Sequence, residues 1–103
     1  MAVNVNITET NKASTSNLEG KDQTNYPNYV LTAVKRTAQG DDIVQLESGI
    51  IKKSDAIIGS FSAKKNSSGA LAINITGVPQ AELATVSILV DDMVTEAQDL
   101  AEE

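Results

Sequence analysis

Ile57-Ile58-Gly59-Ser60-Phe61-Ser62-Ala63, the polar segment Lys64-Lys65-Asn66-Ser67-Ser68-Gly69 and the run Ala70-Leu71-Ala72-Ile73-Asn74-Ile75-Thr76 decide how this chain folds. Two β-prone runs flank a turn that ends in glycine, so the chain doubles back as an antiparallel hairpin. Leu71, Ile73 and Ile75 alternate with Ala72, Asn74 and Thr76, which puts the three aliphatic residues on one face of their strand. A sheet of this kind buries one face and leaves the other to water.

Toward the N-terminus the same pattern repeats. Tyr29–Arg36 (YVLTAVKR) is rich in β-branched and aromatic residues and predicts a strand. Residues 37–42 supply a turn, and Ile43–Glu47 pairs back on the strand before it; Ile50–Lys53 adds a short strand or a bend. Residues 29–76 therefore predict an antiparallel body of four or five strands.

Residues 9–28 are dominated by Thr, Asn, Lys, Ser, Gly and Asp, with almost nothing to bury, and predict no regular structure. Ahead of them Val3, Val5 and Ile7 alternate with Asn4, Asn6 and Thr8, as in a half-exposed strand. Residues 1–28 thus read as an extended arm whose short strand adds to the sheet edge of a neighbouring copy or partner. The plainer reading is a frayed chain end. Extended, the connection reaches at most about 65 Å, enough to cross to an adjacent subunit.

Residues 77–103 carry conflicting signals. Pro79 followed by Glu82 marks a helix start, with proline in the first turn and an acid near the positive end of the dipole. Leu83, Val86, Val90, Met93, Ala97 and Leu100 then recur at alternating spacings of three and four, an amphipathic stripe. Thr85–Val90 is also β-prone, and a strand would place Ile88 beside Val86 and Val90. The helix reading gives an α+β domain: a small antiparallel sheet, an acidic amphipathic C-terminal helix and an N-terminal arm. The strand reading gives a mainly β, sandwich-like fold with a short C-terminal helix. A helix from Pro79 to Glu102 would run about 36 Å and overhang strands of about 23 Å, leaving apolar surface for a partner.

Chemistry is scarce in this composition. With no cysteine and no histidine the chain lacks thiolates, the commonest metal ligand and the commonest general base near neutral pH. The pairs Asp41-Asp42 and Asp91-Asp92 do not extend into a calcium-loop spacing. No phosphate loop, dinucleotide fingerprint or nucleophile elbow occurs, and Lys53-Ser54 is too generic to mark a nucleophile. The expectation is a non-enzyme with no catalytic residue, cofactor or metal.

The net charge of -6 disfavours nucleic acid as a partner. Its distribution is uneven: the 14 acids divide equally between residues 1–65 and 66–103, whereas all eight bases precede Asn66. No basic, apolar leader and no long apolar run is present, so the expected location is the cytoplasm or an assembled particle, without signal peptide or membrane span. The expected partners are proteins, foremost other copies of the chain, with no membrane, nucleic acid or small-molecule substrate. Val3, Val5, Ile7, Leu83, Val86, Val90, Met93, Ala97 and Leu100 are the candidate partner-binding residues. The function expected is structural, an accessory decoration or auxiliary component of a viral particle or other large assembly. The alternative is a small acidic inhibitor or antitoxin-like protein that masks a basic site.

Overall fold

The computed structural model describes residues 5–10, 15–36 and 43–98, apart from the side chains of residues 6, 9, 10, 15 and 16. Six strands follow in chain order, β1 (Asn6–Thr10), β2 (Thr15–Lys21), β3 (Tyr29–Arg36), β4 (Gln45–Lys53), β5 (Ala56–Lys65) and β6 (Leu71–Thr76), and then one helix, α1 (Gln80–Ala97). Every strand pairs antiparallel with the next, so the sheet order equals the chain order, with β1 and β6 at its edges. The fold is α+β and mostly β.

The sheet has six strands rather than four or five: residues 29–76 supply four, β3 to β6, and the two added are β1 and β2, of which β2 lies wholly inside the stretch expected to lack regular structure. The reason is physical. Among the described side chains of β2 only Leu18 is a buried hydrophobic, so hydrophobic alternation gives no signal there. The strand is held instead by backbone ladders on both sides, Ile7↔Gly20 toward β1 and Leu18↔Ala33 toward β3. Ile50–Lys53 is likewise no separate element. It continues β4 past a bulge at which Ser48 adopts a left-handed φ of 52°.

One face of the sheet carries Leu18, Leu31, Ala33, Leu46, Ile51, Phe61 and Ala63, and α1 covers it with Val86, Leu89, Val90, Met93, Val94 and Ala97. Each fully buried aliphatic side chain contributes about 1.5–3 kcal/mol relative to exposure. Gly20 lets the helix come down on β2: a Cβ at that position would stand 2.9 Å from Met93 Sδ. The described helix of 18 residues is about 27 Å long and fits within the ten-residue strand β5, so the expected overhang is not found among the described residues. The segment 83–90 is helical because Val86 and Val90 need one stripe with Met93 and Ala97, and Ile88, the residue a strand would have buried, faces water at 49% exposure. No second sheet, and hence no sandwich, occurs among the described residues.

Candidate interaction surface

The predicted partner-binding residues separate into three groups. Val5, Val86, Val90, Met93 and Ala97 fill this chain's own core, and Ile7 is partly buried against it. Leu83 stands at the exposed start of the helical stripe, 42% accessible. Val3 and Leu100 lie outside the described residues. Of the strand expected over Val3–Ile7 to reach a neighbour, Asn6 and Ile7 fall in β1, which pairs with β2 of the same chain.

Polar anchors hold the helix at both ends. At its N-terminal end Glu82 accepts a hydrogen bond from the Tyr29 hydroxyl at 2.9 Å and one from Lys53 Nζ at 2.6 Å, and the Lys53 ammonium sits 5.5 Å from the centre of the Tyr29 ring. The Lys53 hydrogen bond, seconded by that of Tyr29, holds the Glu82 carboxyl below its ordinary range. Glu82 in turn holds Lys53 above its ordinary value, and desolvation followed by the Glu82 contact raises the Tyr29 hydroxyl. These shifts keep the amine charged and the phenol neutral, the reverse of what a nucleophile or general base needs. The cluster fastens α1 to β3 and β4.

The basic pairs Lys35-Arg36 and Lys64-Lys65 lie at one end of the sheet and Lys52-Lys53 at the other. Arg36 donates to Glu47 at 2.7 Å and Lys64 stands 3.9 Å from the same carboxylate, at the opposite end of the sheet from Lys53. Glu47 is held below its ordinary range, first by the Arg36 hydrogen bond. These exposed pairs order a rim and add little stability.

Among the described residues two open surfaces bear on a binding role. The face away from α1 carries a shallow groove of about 380 Å³ lined by Thr8, Asn17, Glu19, Thr32, Val34 and Ser48, among others. No aromatic platform or cluster of convergent charges lines it, and no group of three metal-ligating side chains occurs among the described residues. The second surface is the outer edge of β6. Asn66 N–H donates to the Ala70 carbonyl at 2.8 Å, and Ala70 N–H donates to Asn66 Oδ1 at 3.1 Å, so both main-chain groups of Ala70 point toward β5. Main-chain groups alternate in direction along a strand. Because the β5–β6 register runs without a bulge, the N–H and C=O groups of Leu71, Ile73 and Ile75 point outward. Among the described residues no strand meets them. Ile73, in the middle of this edge, is 39% exposed.

The edge also lacks the usual protection. Natural edge strands are blunted by lysine, proline or a bulge, yet β6 contains none of these, and from Asn66 to Ala81 no residue is charged. Sequence reasoning identified the alternation of Leu71, Ile73 and Ile75 but not their role, since only the strand order reveals that β6 is an edge. No described helix is long and apolar enough to cross a membrane. Compared with known proteins, the chain matches no family model, no curated protein and no solved structure.

Proposed function

We propose that this chain is a non-enzymatic structural protein, an accessory component of a viral particle or other large assembly, that works through protein–protein contact at the β6 edge. The observation that carries this reading is the uncharged edge strand with outward main-chain groups at Leu71, Ile73 and Ile75. Such groups are met by an added strand, whose ladder gives affinity while alternate side chains give specificity. The acidic-mask alternative draws less support, because Glu82 is engaged by Lys53 and Tyr29, and Asp92 is buried.

The test is a titration of isotope-labelled protein with short, uncharged, strand-forming peptides of alternating apolar and polar residues, read by amide shifts and hydrogen exchange. Shifts and protection should concentrate at Leu71, Ile73 and Ile75 and change little between about 50 mM and 500 mM salt. No response at those amides, or a response confined to the helix around Asp91 and Glu96 against basic peptides that salt abolishes, would overturn the reading.

A further inference from the structure

We infer that the strand added to β6 is β6 of a second copy of this chain, paired antiparallel across a two-fold axis that passes between the two Ile73 residues. This rests on the proposed role of the β6 edge and names its occupant.

Three observations support a second copy. First, the edge is self-complementary in its hydrogen bonds. A two-fold axis at Ile73 faces Leu71 with Ile75 of the other copy and Ile73 with Ile73, and these are the residues whose main-chain groups point outward. Each facing pair of this kind exchanges both of its bonds. A shift by one residue would face outward groups with inward ones. A shift by two would bring in Gly77 in one direction or Gly69 in the other, whose φ of 79° and 86° end the strand on either side. The ladder that fits the strand's own limits is therefore the one centred on Ile73.

Second, the faces agree. Phe61 and Ala63 of the core face pair with Ile75 and Ile73, so Leu71, Ile73 and Ile75 lie on the helix side of the sheet. A two-fold axis perpendicular to the sheet keeps that side common to both copies, so aliphatic side chains meet aliphatic side chains while Ala72 meets Asn74 on the polar side. The two sheets become one.

Third, charge permits it. Copies of a chain of net charge -6 repel one another, and Asn66–Ala81 is where they meet without facing acids. The same register lays the Asn66–Gly69 turn of one copy beside the uncharged Gly77–Pro79 segment of the other. The β1 edge suits this less well, because it carries Glu9.

The experiment is sedimentation of the whole chain over a concentration series up to about 1 mM, since an interface of one strand pair lies at the small, reversible end of the range. The mass should rise toward twice 10.9 kDa and stop there. Ile73→Lys, which sets two ammonium groups against each other, should hold the mass at one chain with an unchanged melting curve. Ile73→Pro should do the same by removing an outward N–H that the chain's own ladder does not use. A mass fixed at one chain throughout overturns the inference, and when edge amides still answer the strand peptides, it does so while leaving the proposed role standing. Masses that climb past two chains indicate β1 joining β6 in an open series, and a dimer that survives both substitutions lies on another surface; either result also overturns it.

Discussion

The side-chain amide of Gln98 pairs with the main chain of Val44 as a neighbouring strand would. Its Oε1 accepts the Val44 N–H at 2.9 Å, and its Nε2 donates to the Val44 carbonyl at 3.0 Å and to the Val94 carbonyl at 3.0 Å. One side chain thus fastens the C-terminal end of α1 to the entry of β4 and satisfies a carbonyl of the last helical turn. Gln98→Ala removes all three bonds and leaves the groups of Val44 to water, so a loss of about 1–2 kcal/mol is expected in denaturant titration. Gln98→Glu should cost at least as much, because it loses both donated bonds and adds an anion at the negative end of the dipole.

At the other end of the helix, the Glu82 cluster makes stability depend on pH at both extremes. Glu82 is held below its ordinary 4.5 in the fold, so its contribution is complete above that value and is lost as pH falls through the folded value. Glu47 acts in the same direction. Tyr29 and Lys53 are held above 10.0 and 10.5, so their contribution is complete below those values and is lost as pH rises through the folded ones. A plateau in melting temperature from about pH 5 to 9.5 is expected, with a fall on either side. Glu82→Gln should lower the plateau and flatten both limbs; limbs identical to the parent's would separate the cluster from the pH response.

Val90 and Ile88 lie two positions apart on α1 with opposite surroundings, Val90 enclosed and Ile88 half open to solvent. Val90→Asp places an unpaired carboxylate in the core and is expected to unfold a domain whose total stability is about 5 kcal/mol. Ile88→Asp should change stability by less than about 0.5 kcal/mol. Circular dichroism of the two variants checks the contrast. Comparable losses from both would mean that Ile88 is covered in the working protein.

Elements held by side chains were legible in the sequence, and those held by main chain were not. The 57–76 hairpin announced itself through Leu71, Ile73 and Ile75 around a glycine-ended turn, and α1 through Pro79 and the spacing of Val86, Val90, Met93 and Ala97. β2 stayed hidden because Leu18 gives periodicity nothing to work with, although ladders on two sides fix the strand. The anchors were invisible for another reason. Tyr29 and Glu82 are 53 residues apart, and Val44 and Gln98 are 54 apart, so neither pair leaves a local signature. The uncharged stretch 66–81 could be read directly, but its place at an edge follows from the strand order alone.

The N-terminal segment gives the last prediction. Val5 is 2% exposed and its Cγ1 lies 3.1 Å from where a Cβ on Gly20 would stand, in the space that Met93 also borders. Val5→Ala should therefore cost about 1–3 kcal/mol by leaving a cavity, with the β1–β2 ladder intact. Deleting residues 1–10 should cost more, because it removes both that packing and the ladder from Asn6↔Lys21 to Thr10↔Asn17, and makes the polar strand β2 an edge. Urea midpoints of the parent, Val5→Ala and the deletion should fall in that order. If the deletion instead matches the parent's midpoint, β1 contributes nothing to its own domain, and its burial is completed by a neighbouring molecule.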